Sequence, residues 1–167
     1  ASVLGVDVGH GQLHPRLATD ARVRALEGVN ARQLDASTLM AGCADWAPAK
    51  ATFGHDSSRF DLIVADLSFI SLTLVLPALA PLLRAGGQAL LLAKPQFELQ
   101  PAQLGKGGIV RDAALYPQVE QRLRQACASA GLAVLTWLDS PITGGGGNRE
   151  FLLHAVRGAP PQPSSAP

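Results

Sequence analysis

The stretch FDLIVADLSFISL, residues 60–72, is an apolar run that ends on an acid and then changes character. Phe60, Leu62, Ile63, Val64 and Ala65 read as a buried strand, and Asp66 closes it. Ser68, Phe69 and Ser71 follow before a second apolar segment begins. The same device recurs twice downstream. QALLLAK, residues 88–94, ends on Lys94, after which Pro95 forces the backbone out of a sheet. EFLLHAV, residues 150–156, starts on Glu150. A charge beside an apolar strand is costly unless it is paired or performs chemistry. Three such charges of mixed sign, all at expected strand ends, point to a site.

Working outward, apolar runs alternate with helical patterns, as in a parallel sheet with helices on both faces. Strands are expected over residues 2–8, 23–27, 60–67, 88–94, 132–139 and 150–156. The 88–94 run is almost wholly apolar, as suits a strand covered on both sides. Helices are expected over 31–40, 72–83 and 112–130. The last has Asp112 as N-cap and Gly131 as its stop, with Pro117 bending its first turns or delaying its start. Residues 42–58 read as an irregular loop, and residues 95–111 as a long loop over a cleft. The tail from Gly158, GAPPQPSSAP, is expected to be disordered.

A length of 167 residues suits one domain with a real core, and 47% hydrophobic content excludes a disordered chain. The net charge of +1 argues against a domain that grips nucleic acid by charge alone. Cys43 and Cys127 are far apart and lack CxxC spacing, so free thiols in a reducing cytoplasm are expected. The longest apolar stretch, residues 72–83, contains Pro77 and Pro81 and is too short to cross a bilayer. No basic-then-apolar leader opens the chain. His10, His14, His55 and His154 have no metal-ligand spacing, and no metal is expected. No GxSxG elbow occurs, and neither residues 144–147 nor the LGKGG around Lys106 completes a P-loop.

Each candidate residue has a structural reading beside the functional one. Asp7 ends the first strand ahead of Gly9, His10 and Gly11, where an acid accepts ribose hydroxyls or simply makes a turn. Glu27 and Asn30 face an adenosine, or are a solvated strand end and a helix cap. Asp66 belongs to a site or caps the next helix, while Phe69 is placed to stack on a base or substrate ring. Lys94 ends a central strand, where desolvation would make it a usable base and neighbouring carboxylates would oppose that. Glu150 follows a four-glycine run that implies close backbone approach or a mobile loop.

Taken together, DVGHGQL, DLSFISL, KPQFE, GKGGIVRD and SPITGGGGNREFLL stand in this order from about Leu4 to Val156. In this the sequence resembles the TlyA (hemolysin A) branch of the FtsJ-like RNA 2′-O-methyltransferases, with His10 where the family commonly has tyrosine. The resemblance implies an α/β, Rossmann-like fold that uses S-adenosylmethionine to methylate ribose 2′-hydroxyls of ribosomal RNA. It maps Asp66, Lys94 and Glu150 onto the last three members of a Lys-Asp-Lys-Glu catalytic tetrad. It also maps Asp7, Gly9, Glu27, Asn30 and Asp66 onto the cofactor pocket. The family's first lysine, its glycine-rich cofactor loop and its S4-like RNA-binding domain precede the DVGHGQL strand.

The expectation is therefore a methyltransferase domain over residues 1–157, lacking the family's first strand and helix, followed by a tail over 158–167. Ribosomal RNA or ribosomal subunits are the expected partners, with no membrane and no metal, in the cytoplasm; the oligomeric state is not legible. A non-catalytic RNA- or ribosome-binding module is the alternative. Pore formation rests only on the hemolysin name, since nothing here is amphipathic or long enough to insert.

Overall fold

The β-branched and apolar runs form strands, but their directions follow from what joins them. The structure is a computed structural model that describes residues 1–46 and 59–158. β1 (Val3–Asp7) and β2 (Val23–Glu27) form a parallel pair in which Asp7 stands opposite Glu27. The second sheet has the order β3-β4-β6-β5, from β3 (Phe60–Ala65), β4 (Leu83–Ala93), β5 (Leu132–Asp139) and β6 (Phe151–Arg157). β3 runs parallel to β4, whereas β6 is antiparallel to both β4 and β5. The expectation of a parallel sheet is corrected here to a mixed one. Residues 140–150 are too few to carry a crossover helix, so β6 returns beside β5 in the opposite direction.

Two helix expectations need correction as well. Residues 31–40 divide into a 3-10 turn (Ala31–Gln33) and helix α2 (Ala36–Gly42), which follows the short α1 (Pro15–Ala18). Asn30 accepts the Arg32 N–H at 3.0 Å and Asp35 accepts the Thr38 N–H at 2.7 Å. Two capping side chains so close together start two turns rather than one helix. The 72–83 helix stops earlier: α3 (Leu72–Leu79) passes into a 3-10 turn (Ala80–Leu82), and Leu83 already begins β4. The strand's early half was hidden by Gly86 and Gly87, where the pairing with β3 shifts register.

A one-turn α4 (Pro95–Glu98) leaves β4, and α5 (Tyr116–Ser129) precedes β5. Asp112 caps a 3-10 turn (Ala113–Leu115) ahead of α5, and Gly131, at φ 77°, ends the helix as expected. Gly42, expected in a loop, closes α2; residues 47–58 and the tail from 159 lie outside the described residues.

One core joins both sheets. Leu26, Leu39 and Cys43 share it with Val75 and Leu76 of α3, Leu123 and Cys127 of α5, and Leu91 and Leu153 of the sheet. Both long helices therefore serve the same side of the β3-β4-β6-β5 sheet. The expectation of helices on both faces fails at β3 and β4, where Leu62, Val64 and Leu90 on the opposite face are 55%, 67% and 39% exposed. β1 and β3 each end a sheet, with no described strand on their other side.

Candidate active site

The site grows from two loops at the carboxyl ends of adjacent parallel strands. β3 stops at Ala65, so Asp66 opens a loop that runs to Ser71, the N-cap of α3. β4 stops at Ala93, and Pro95 begins α4, which leaves Lys94 at the junction. Lys94 Nζ lies 2.6 Å from Asp66 Oδ1 and donates to Ser68 Oγ at 3.2 Å. The lysine side chain is only 12% exposed, whereas Asp66 is 69% exposed. The amine is thus held by a carboxylate and a hydroxyl at the edge of the core.

Phe69, in the same loop, has φ 62° and is largely exposed. Its ring approaches that of Phe97 at 5.3 Å, tilted by 47°. Both segments thus bring an aromatic residue next to their charged one.

Glu150 arrives from the other neighbour of β4. The antiparallel register pairs Ala93 with Phe151, so one further step sets Lys94 opposite Glu150. Glu150 is buried, yet Asp66 is the carboxylate in ion-pair contact with Lys94. The Glu150 carboxyl occupies the room that a side chain at Gly144 would need, so a residue larger than glycine there would displace the acid or the turn. Beside it, buried Asn148 accepts the Val110 N–H at 2.9 Å and donates to the Gly108 carbonyl at 3.0 Å, fastening the glycine-rich 105–110 loop. Arg149 pairs with Asp139 through two 2.8 Å bonds and lies over the Tyr116 and Phe151 rings. Those bonds hold the Asp139 carboxyl below its ordinary range.

A second cluster forms at the ends of β1 and β2. Asp7 Oδ1 accepts the Gly9 N–H at 2.6 Å, and Glu27 Oε1 accepts the Gly11 N–H at 2.8 Å. Val29 N–H donates to the Asp7 carbonyl at 3.0 Å, bringing the Asn30 turn alongside. Gly28, at φ 70°, lies against the His10 ring, where an added Cβ would come within 3.1 Å of Nε2. Asp7, Gly9, Glu27 and Asn30 are therefore neighbours, while Asp66 stands on the other sheet with Lys94.

Two residues escaped the sequence reading. The Glu98 carboxylate is buried, accepting the Ser71 hydroxyl at 2.5 Å and the Leu72 N–H at 2.7 Å. Asn148 directly follows the four-glycine run, and nothing in that run signals its buried bonds. For Glu98 the available signal was a charge between Phe97 and Leu99. No group of three or more His, Cys, Asp or Glu that could hold a metal occurs among the described residues. No helix among them is long and apolar enough to cross a membrane.

A model of the FtsJ-like methyltransferase family matches residues 1–157. Among curated proteins, the 16S/23S rRNA (cytidine-2′-O)-methyltransferase TlyA of Mycobacterium tuberculosis is 37% identical over 153 residues, covering 92% of this chain and 51% of that protein. Hemolysin A of Brachyspira hyodysenteriae is 32% identical over 92% of this chain and 58% of its own length. A solved structure from Streptococcus thermophilus, named as a hemolysin, is 36% identical with a TM-score of 0.79, covering 98% of this chain and 54% of that one. An S-adenosylmethionine-dependent methyltransferase from Methanosarcina mazei shares the fold at 17% identity and a TM-score of 0.57, over 94% of this chain and 82% of that one. The chain spans about half the length of the curated relatives it matches.

Proposed function

The chain belongs to the FtsJ-like methyltransferase family, and from that premise we propose that it is the methyl-transfer domain of an enzyme that methylates a ribose 2′-hydroxyl of ribosomal RNA. The observation that carries this reading is the Lys94–Asp66 contact at the mouth of β3 and β4, with Glu150 next in register on β6. An amine paired with one carboxylate, with a second acid next to it in register, suits the handling of a hydroxyl proton at the carboxyl edge of a sheet. A passive binding surface has no use for it.

S-adenosylmethionine fits the acids of the first sheet. Asp7 and Glu27 stand side by side at the same kind of strand end, with Gly9 and Asn30 adjoining, an arrangement suited to a ribose diol and an adenine. When bound, the cofactor supplies the methyl group. The remaining work belongs to the chain's own residues. Lys94 aims the target hydroxyl as an ammonium, or takes its proton as an amine. Asp66 and Glu150 hold the lysine in place and balance its charge. Phe69 offers its exposed ring to the base of the target nucleotide, since RNA bases are gripped by stacking once they leave the helix.

The same proposal covers organisation. A parallel strand between β1 and β3 would join the two sheets into one, and a helix following it would cover Leu62, Val64 and Leu90. We assign that strand, with the cofactor loop and the tetrad's first lysine, to polypeptide preceding residue 1. Bulk RNA affinity is assigned there too, in keeping with the near-neutral charge of this chain. The setting is the cytoplasm, where ribosomal RNA is.

Lys94→Ala in the full-length protein is the direct test. Methylation of ribosomal RNA is expected to fall by at least about 100-fold, the scale of a lost proton-handling group, with RNA binding retained. Parent protein that binds RNA without methylating it would instead make the domain a non-catalytic module.

A further inference from the structure

We propose that Glu98 is a positioning residue whose buried carboxylate sets the distance between Asp66 and Lys94. The 66–72 and 94–98 segments run side by side and touch at three levels. Lys94 meets Asp66 and Ser68, Phe97 meets Phe69, and Glu98 meets Ser71 and Leu72. The first two contacts have a solvent-exposed member, Asp66 at 69% and Phe69 at 92%. Contacts of that kind hold geometry weakly. The third is buried, with Glu98 3% exposed.

A buried carboxylate is strongly penalised unless its acceptor sites are filled. Glu98 fills them with a hydroxyl and a peptide N–H, and no cation lies within ion-pair distance of it among the described residues. The partner it clamps is the foot of the loop in which Phe69 adopts φ 62°, a conformation that persists only where the surroundings over-determine it. The other side of Glu98 is fixed as well, because Arg122 of α5 donates to its carbonyl at 2.5 Å. Glu98 thus ties the Asp66 loop to the Lys94 turn, and both to α5, without reaching the reacting atoms.

The kinetic arm of the test rests on the methyl-transfer reading; the spectroscopic arm does not. In the full-length protein, Glu98→Ala is expected to lower kcat about 10- to 100-fold, the cost of a small misplacement. KM for cofactor and for RNA should stay within about threefold. The 13Cε signal of Lys94, identified by its absence in Lys94→Ala, should move. Glu98→Gln, which keeps an acceptor for Leu72 and a partner for Ser71, should restore both kcat and the signal. Parent-like kcat with an unmoved signal in Glu98→Ala overturns the proposal, as does a loss that Glu98→Gln fails to rescue. Should Glu98→Ala not fold, Ser71→Ala decides: an intermediate loss with a moved signal supports the role, and parent behaviour overturns it. A parent that does not methylate counts against the methyl-transfer reading alone, and the Lys94 signals across the variants still judge Glu98.

Discussion

Phe69 bears two costs at one position, a left-handed backbone and a fully presented ring. For a non-glycine residue that backbone costs about 1–2 kcal/mol. Phe69→Gly removes the strain and also the Phe97 contact, worth about 0.5–1.5 kcal/mol. The melting temperature should therefore stay near the parent's or rise, while methylation falls at least about tenfold through weaker engagement of RNA. A large loss of stability in a melting experiment would mean instead that the ring serves the fold. The buried thiols give a second residue-scale expectation. Burial pushes Cys127 up to about 11 from 9.0, so the folded thiol keeps its proton where an unfolded one ionises. Its stabilisation is complete below pH 9 and lost as pH rises from 9 to 11. Urea midpoints measured across that window should fall more steeply for the parent than for Cys127→Ala. At this scale Asp66 and Lys94 were legible because a charge interrupts an otherwise apolar run. Glu98 was not, because its partners come from a loop some 26 residues earlier, and no local pattern reports such a pairing.

Among the elements, strands were easier to read than helices. β2 and β5 fall where their apolar runs predict, whereas the 31–40 helix broke because two short polar side chains each recruited their own turn. β4 began early because glycine, with no side chain to display, leaves no periodicity in the sequence. The direction of β6 is a property of the 140–150 connection and its length. That connection also governs the site. Gly144→Ala places a methyl group against the Glu150 carboxyl, so either the turn or the acid must move. Overpacking of this kind costs about 1–3 kcal/mol. The variant should lose methylation beyond what its melting curve explains, measured as kcat per folded molecule; unchanged kcat would show that Glu150 tolerates displacement.

For the molecule as a whole, the divided sheet is the dominant fact. Residues 1–167 alone should bind a hydrophobic dye at the Leu62, Val64 and Leu90 face, and a polypeptide carrying the proposed preceding strand and helix should not. Equal dye binding by both would count against that assignment. The order of the second sheet has a further result in the living cell. β6 is the last of the described strands but lies between β4 and β5, and Arg157 at its end pins the Ala80 and Pro81 carbonyls. Until residues 151–157 have been synthesised, β4 and β5 lack the strand that lies between them. A nascent chain cut short before that point carries β4 with an unpaired edge and lacks the strand that sets Glu150 opposite Lys94 in register.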